Sequence, residues 1–308
     1  MDRFQFMSVF VAVGKAGGFS AAARELGMPL ATVSRQVADL EAQLGVRLLR
    51  RSTRKVELTE HGKIFHAASR RILEDLREAE ASVTGEFAAP RGDLAVTASM
   101  AFGRQYLQPV VLEFLAAYPQ INLRLVLADR IVNLLEENID AAVRIAELKD
   151  SNLIARPLGQ VRVVTCASPA YLARRGAPRH PRELIEHDCI TWSPQAPPST
   201  WSYHEAGKDI TVPIRVRFAT STSESAAAAA EAGAGLTQAP CYLISESVRT
   251  GRLKVVLKEF VGAGTPVHLV YPSQRLLPSK LRTFIEFAAP RLVERLRSND
   301  RMVERSAA

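Results

Sequence analysis

Apolar residues between positions 19 and 59 recur at spacings typical of two short helices followed by two short strands. The second helix carries a stripe at spacings of four, three and four residues: Val33, Val37, Leu40 and Leu44. Ser20 is expected to cap the first helix, and Gly27 to end it. Pro29 suits the start of the second helix, which Gly45 ends. This pattern predicts a helix-turn-helix, whose second helix is shaped to enter a DNA major groove.

The face of the second helix opposite its apolar stripe carries small residues around one arginine. Its members are Ala31, Arg35, Ala38 and Ala42, flanked by Thr32, Ser34 and Gln36. Small residues let a helix backbone approach another surface closely, and arginine can donate two hydrogen bonds to guanine. An ordinary amphipathic surface helix is the alternative interpretation.

A run of basic residues directly follows this helix. Positions 47–55 hold five Lys and Arg and no acid, and Leu48, Leu49, Val56 and Leu58 supply the apolar positions of two strands. Residues 1–71 contain 12 Lys and Arg against 6 Asp and Glu, and the whole chain of 308 residues carries a net charge of +8. Such an excess beside a helix-turn-helix is typical of phosphate contact. The alternative is a solvated loop.

Helical periodicity extends to both sides of this motif. Phe6, Phe10 and Val13 share one face of a first helix. Residues 59–87 are predicted to form one long helix whose heptad positions hold Phe65, Ile72 and Ala79, then Ser69, Leu76 and Val83. This spacing favours self-association through the long helix. Packing of that helix on its own domain is the alternative.

After residue 91 short apolar strands alternate with helices. The predicted strands are 94–97, 121–127, 139–145, 214–218 and 267–271, and the predicted helices are 104–117, 131–137, 224–232 and 280–297. Alternation of this kind predicts an α/β domain with a mostly parallel sheet. In such sheets, ligands bind beyond the carboxyl ends of the strands, where helix N-termini present free N–H groups.

Residues 10–27, 33–51 and 58–62 resemble the N-terminal domain of LysR-type transcriptional regulators. The two predicted strands and the basic run between them correspond to the wing of these proteins. The resemblance implies DNA contacts by Thr32, Ser34, Arg35 and Gln36 in the second helix, and by Arg51, Arg54 and Lys55 in the wing. Leu30 and Ala31 stand where many relatives carry polar residues. The fold class that the resemblance implies is α/β overall. It comprises an N-terminal winged helix-turn-helix, a long linker helix, and a two-lobed effector domain resembling a periplasmic binding protein.

The corresponding boundaries are a DNA-binding domain at 1–59, a linker and dimerisation helix at 60–88, and an effector domain at 91–308. Its first lobe is placed at about 91–161 and 267–298, and its second at about 162–266. The chain is expected to cross between lobes near 159–163 and 264–268.

Six residues are candidates for binding an effector, which we expect to be a small organic anion. Ser99 and Met100 follow the first strand, and Thr220 and Ser221 follow the strand ending at 218. The resemblance favours Ser99 and the 220–221 pair. Arg144 could supply the counter-charge, and Gln238 faces the same region if the lobes close. The alternative for the Ser and Thr residues is plain helix capping, and the alternative for Arg144 is a surface ion pair.

Other classes of protein find weaker support. The stretch 233–238 begins like a dinucleotide fingerprint but lacks its third glycine, and the scattered histidines, His61 and His66 included, do not suit a metal site. A solute-binding protein would need an export signal. Three widely spaced cysteines fit a reducing cytoplasm, with Cys241 either a redox sensor or, like Cys166 and Cys189, a buried hydrophobe.

The sequence therefore predicts a cytoplasmic regulator without a cofactor, a catalytic site or a membrane span. Its expected partners are double-stranded DNA, a small effector and further copies of itself, as a homodimer or homotetramer. A constitutive repressor with an empty cleft remains open.

Overall fold

The computed structural model describes residues 2–51, 56–84, 89–148, 152–193, 199–273 and 277–305. The chain divides into two units, Met1–Ala89 and Pro90–Ala308. Each unit has its own hydrophobic core.

The described residues of the first unit form four helices and a two-stranded sheet. In chain order they are α1 (Arg3–Ala16), α2 (Phe19–Leu26), α3 (Leu30–Leu44), β1 (Leu49–Arg51), β2 (Val56–Leu58) and α4 (Glu60–Thr84). β1 and β2 pair antiparallel, with Leu49 opposite Leu58. The two short helices, the two strands and the long helix are confirmed as the sequence predicts them.

The core of this unit is formed by the predicted apolar stripes. Phe6, Phe10 and Val13 of α1 are buried together with Val33, Val37 and Leu40 of α3, and Leu44 packs against them. Gly27 and Gly45 end their helices in the left-handed conformation, with φ of 62° and 68°, which glycine adopts without strain.

The predicted cap of α2 is wrong. Gly18 is the N-cap residue, and it places Ser20 inside the first turn, where no side chain caps the helix. The helix starts earlier because Phe19, next to the N-cap, packs against the core of the unit. Apolar packing at the first turn therefore takes precedence over the capping preference of serine.

The long helix α4 is fixed to the rest of the unit at its first turns. The Thr59 hydroxyl accepts a hydrogen bond from the Gly62 backbone at 2.9 Å and donates one to the Arg47 carbonyl at 2.8 Å. A Cβ at Gly62 would lie 2.0 Å from the Leu48 carbonyl oxygen, so only glycine permits this approach. One turn further on, His66 contacts the Val11 carbonyl at 3.2 Å, and its ring packs edge-on against Phe10.

In the second unit, the part of the chain that the structure describes forms two five-stranded sheets and a separate hairpin. Its strands are β3 (Gly92–Ala98), β4 (Ile121–Leu127), β5 (Ala141–Ile145), β6 (Leu153–Val161), β7 (Val163–Ala167), β8 (Asp188–Trp192), β9 (Thr200–Glu205), β10 (Lys208–Pro213), β11 (Arg215–Thr220), β12 (Leu236–Pro240), β13 (Lys254–Val256) and β14 (Thr265–Pro272). Its helices are α5 (Met100–Phe102), α6 (Gln108–Ala117), α7 (Pro169–Arg175), α8 (Ser223–Glu231), α9 (Cys241–Arg249) and α10 (Ser279–Arg305), with 3₁₀ turns at Pro181–Glu186 and Lys258–Phe260.

The strand order is β4-β3-β5-β14-β6 in the first sheet and β11-β8-β12-β7-β13 in the second. The chain leaves the first sheet after Val161 and enters the second at Val163, and it returns at Thr265. Both crossings lie where the sequence predicts them. The antiparallel hairpin β9–β10, which pairs Trp201 with Val212, was not predicted.

Neither sheet is mostly parallel. In the first, β3 pairs parallel with β4 and β5, whereas β14 pairs antiparallel with β5 and β6. In the second, β8 pairs parallel with β11 and β12, whereas β7 pairs antiparallel with β12 and β13. The strands adjoining the crossings, β6, β7 and β14, account for this difference because each runs opposite to its neighbours.

Two predicted helices differ from the structure. Residues 131–137 form turns rather than a helix, because the Asn133 side chain accepts the Leu135 N–H at 3.1 Å and Asn138 adopts a left-handed φ of 52°. The helix expected from Arg104 starts already at Met100 and passes through a π-helical turn at Gly103–Leu107 before α6. The remaining predicted strands and helices are present within a few residues of their expected ends.

Candidate nucleic-acid interface and ligand cleft

The exposed face of α3 matches the predicted outer face. Ala31, Arg35, Ala38 and Ala42 are exposed, and Thr32 and Ser34 are half-buried beside them. The buried stripe on the other side holds α3 firmly on α1, because Val33, Val37 and Leu40 have no exposed surface. A surface of alanines with a single long cation is shaped for close contact with a groove edge rather than for solvation.

Gln36 does not share this face. Its side chain is only 8% exposed, and its Oε1 is buried with no hydrogen-bond partner among the described residues. It follows Arg35 by one residue, and a helical step of about 100° turns it toward the core. In this conformation Gln36 offers little surface to a base, so it is set apart from the other predicted contacts of α3.

The position of the wing relative to α3 depends on Glu41, which sequence reasoning missed. Its buried carboxylate accepts hydrogen bonds from the Leu48 and Leu49 backbone N–H groups at 2.7 and 3.0 Å. The carboxylate thus joins the last turn of α3 to the first residue of β1 and the residue before it. One signal was available in the sequence: Glu41 follows Val37 by four residues and therefore lies on the buried stripe.

The predicted wing contacts lie at or beyond the edge of the described residues. The backbone of Arg51 ends β1, and its side chain is not described. Arg54 and Lys55 lie outside the described residues. Arg47 and Arg50, two further members of the basic run, are exposed.

Ser99 and Met100 lie at the carboxyl end of β3, as predicted, but the helix start beside them is already occupied. The Met100 N–H donates to the Asp129 carboxylate at 2.9 Å. Burial raises the pKa of Tyr242 well above its ordinary value, the charges of Glu224 and Asp129 add to the increase, and a hydrogen bond with Ser99 opposes it. Ser99 and Asp129 therefore line the same small region as the Tyr242 hydroxyl.

Thr220 ends β11 and Ser221 follows it, and the residue that caps the following helix is Thr222. Its hydroxyl accepts from the Ser225 N–H at 3.3 Å, whereas Ser221 is exposed and Thr220 half-buried. Arg104 lies 3.7 Å from Glu224 in the first turn of α8. This ion pair joins the neighbourhood of Ser99 to that of Thr220, so the structure brings the two predicted regions together.

Arg144 has a mainly structural contact. Its guanidinium donates to the Val132 carbonyl at 3.2 Å, and its strand neighbour in β14 is His268. The arginine therefore anchors the turn region 131–137 to β5. The structure shows no contact between Arg144 and the other predicted effector residues within the described ranges.

Gln238 lines a different cavity, of about 590 Å³, which none of the other five predicted effector residues borders. This cavity lies beside the hairpin β9–β10 and includes both tryptophans of the chain, Trp192 and Trp201. It was not predicted, because the hairpin that covers it had no clear signal in the sequence.

The three cysteines are buried, including Cys241, which begins α9 rather than lying in a loop. Burial raises the pKa of the Cys166 and Cys189 thiols to about 12. Within the described part of the chain, no three His, Cys, Asp or Glu side chains are placed to hold a metal ion. None of the helices in that part combines the length and the apolar character needed to cross a membrane.

A winged helix-turn-helix with an exposed arginine, followed by an α/β unit of two sheets with a polar cleft, defines the class of ligand-responsive DNA-binding regulators. Residues 4–63 match the bacterial regulatory helix-turn-helix protein family model of the lysR family, and residues 88–292 match the LysR substrate binding domain. The chain therefore belongs to the LysR family of transcriptional regulators.

Similar proteins agree with this assignment. An HTH-type transcriptional repressor of Pseudomonas aeruginosa is 36% identical, over 93% of this chain and 91% of its own. The structure of CrgA, a LysR-type transcriptional regulator from Neisseria meningitidis, is 35% identical with a TM-score of 0.60, over 95% of this chain and 98% of its own. The full-length structure of AphB, a virulence activator of Vibrio cholerae, is 27% identical with a TM-score of 0.60, over 93% and 98%.

Proposed function

We propose that this chain is a sequence-specific regulator that reads an operator through α3 and responds to a small molecule bound in its second unit. The observation that carries the proposal is the exposed face of α3, where Arg35 stands among alanines. A bidentate contact from arginine to guanine typically discriminates by about 1–3 kcal/mol. Thr32 and Ser34, half-buried at the start of the helix, are proposed to add polar contacts.

The wing is proposed to hold the phosphate backbone. Arg51, Arg54 and Lys55 are the predicted contacts, and the exposed Arg47 and Arg50 add to the same positive surface. Phosphate contacts fix register rather than sequence, and they make binding depend on salt concentration. The bonds from Glu41 to the start of β1 support this role because they fix the wing relative to α3.

A homodimer is proposed to form through α4. Ile64 and Ile72 leave much of their surface exposed on this helix, at 72% and 44%, and we propose that the α4 helix of a second copy covers them. Phe65, the first predicted heptad position, instead packs against the core of its own unit. The α3 helices of two copies brought together in this way would read the two halves of an inverted repeat. A tetramer built from such dimers is compatible with the same contacts.

The effector is proposed to bind near Ser99, Thr220 and the Arg104–Glu224 pair. The expectation of an organic anion has little support in the geometry, because Asp129 already takes the Met100 N–H and Glu224 adds a second carboxylate. A small polar molecule that bonds to hydroxyl groups fits these side chains better.

The effector site can be tested with Ser99→Ala. This variant should lose the transcriptional response while keeping unliganded operator binding. A response of normal size would reject the placement of the effector beside Ser99. A constitutive repressor would show no thermal stabilisation with any member of a small-molecule screen.

We propose a regulatory rather than a catalytic role, since the similar proteins are named as transcriptional regulators or by that activity. A protein that binds chromosomal DNA acts in the bacterial cytoplasm, which is the location we propose. The direct test is capture of genomic fragments by the purified chain at modest ionic strength. Enrichment of one or a few sites with an inverted repeat is expected, and failure to enrich any fragment would contradict the proposal.

A further inference from the structure

Leu30, the first residue of α3, is a large apolar side chain that the fold leaves on the surface. It is 49% exposed. Its apolar neighbours Met28 and Val33 pack in or against the core of the first unit, and among the described residues Leu30 is not part of that packing. A single exposed leucine is ordinary on a protein surface, so its position in the fold has to decide whether it has a role.

The position of Leu30 is one from which recognition helices contact bases. In a helix-turn-helix, the N-terminal residues of the second helix reach base edges in the major groove. Leu30 precedes Ser34 by four residues, so the two side chains lie on the same side of α3, and Arg35 follows directly. At about 1.5 Å of helix rise per residue, Leu30 and Arg35 are about 7.5 Å apart along the axis, or about two base pairs.

The start of α3 offers apolar surface to a DNA groove rather than hydrogen-bonding side chains. Pro29, the N-cap residue, makes no side-chain hydrogen bond, and Leu30 and Ala31 follow it, both exposed. None of these three side chains can donate or accept a hydrogen bond. The first hydroxyl of the helix belongs to Thr32, which is half-buried. This end of α3 is therefore unsuited to base edges that present only donors and acceptors.

We propose that Leu30 contacts the 5-methyl group of a thymine about two base pairs from the guanine assigned to Arg35, and that it gives the operator a thymine preference there. The inference rests on the proposed function of α3. The thymine methyl is the apolar group that the major groove displays. Burying it against Leu30 corresponds to a preference of about fourfold in one half-site, and of about fifteenfold in the two half-sites of an inverted repeat.

Replacement of thymine by deoxyuridine tests this contact, because it removes the 5-methyl group and keeps every hydrogen-bonding group of the base. The probes are duplexes of the operator captured from genomic DNA, each with deoxyuridine at one thymine position in both half-sites. Affinity for the full chain is measured by fluorescence anisotropy at one salt concentration. We expect a loss of about fifteenfold at one position, about two base pairs from the guanine whose substitution Arg35→Ala no longer senses.

Leu30→Ala identifies the side chain that senses the methyl group. This variant should bind the unmodified operator about tenfold or more weakly and show no further loss with deoxyuridine at the sensitive position. It should keep its fold, because alanine is a better helix former than leucine and Leu30 lies outside the core packing. Leu135→Ala, the same substitution at a position of the second unit that is 64% exposed, is the matched control and should behave as the wild type with every duplex.

Leu30→Gln tests the same contact by changing the preference rather than removing it. A glutamine side chain can form two hydrogen bonds with adenine in the major groove. This variant should therefore prefer adenine over thymine at the sensitive position, and an unchanged thymine preference would contradict the inference.

Two further results would overturn the inference while the proposed function stands. One is operator binding that no single deoxyuridine position weakens. The other is a loss with deoxyuridine that is as large in Leu30→Ala as in the wild type, because another side chain or the shape of the DNA would then sense the methyl group. A chain that enriches no genomic fragment would overturn the proposed function and this inference with it.

Discussion

Glu41→Ala is expected to release the wing from α3 while leaving the rest of the first unit folded. The substitution removes the acceptor of two buried backbone N–H groups, those of Leu48 and Leu49. A hydrogen bond to a charged group contributes about 1.5–3 kcal/mol, and such values do not simply add. We therefore expect local opening at the start of β1 to become easier by about 3 kcal/mol.

Hydrogen exchange of the peptide covering residues 46–58 measures this opening directly. A change of about 3 kcal/mol corresponds to exchange roughly a hundredfold faster at Leu48 and Leu49. Glu41→Gln, which keeps one oxygen acceptor without the charge, should lie between the wild type and the alanine variant. Operator affinity should fall in the same order, because the wing loses its fixed position relative to α3.

Glu25→Ala is the matched control. Glu25 forms an exposed ion pair with Lys15 at 3.1 Å, and such pairs contribute about 0–1 kcal/mol. Exchange at Leu48 and Leu49 should therefore remain within about fivefold of the wild type in this control. Unchanged exchange in Glu41→Ala would refute the role assigned to this carboxylate.

Two further predictions concern titrating groups. Because burial raises the pKa of the Cys166 and Cys189 thiols to about 12, neither should be alkylated in the native chain at pH 8, and both should react in denaturant; modification of the native protein, measured by mass spectrometry, would contradict this. Burial lowers the pKa of His66 below its ordinary 6.5, and the charge of Arg70 adds to the decrease while the bond to Val11 opposes it. Between these two pKa values the unfolded chain binds more protons than the folded chain. The first unit should therefore lose stability as pH falls from 6.5 toward the folded-state pKa of His66, and the loss should level off below that pKa. Denaturation followed by circular dichroism should show a weaker pH dependence in His66→Gln, and an unchanged dependence would reject the assignment.

Much of the first unit could be predicted from the sequence because its packing is local. The apolar stripe of α3 and the glycines at positions 27 and 45 follow rules that act within a few residues. Ser20 failed as a cap because packing of Phe19 decides where α2 starts. Glu41 was missed because polar residues on a stripe are easily taken as breaks in it, although its partners are seven and eight residues further on.

The second unit was less accessible because its site depends on pairings between distant strands. The alternation of strands and helices predicted an α/β domain but could not give the direction of β14, which pairs with strands more than a hundred residues earlier. The cavity beside the hairpin β9–β10 likewise forms only when this hairpin covers β7 and β12. The two asparagines at 133 and 138 were a local turn signal that the helical pattern of 131–137 outweighed.

The base-reading role of Arg35 is tested most directly by Arg35→Ala, with affinity measured for the captured operator and for random DNA of equal length at one salt concentration. Arg182→Ala, an exposed arginine of the second unit, is the control of equal charge. We expect Arg35→Ala to lose about 1–3 kcal/mol on the operator and much less on random DNA, whereas the control changes neither. An equal loss on both DNAs would contradict the account, because it would mean that Arg35 contacts phosphate rather than a base edge.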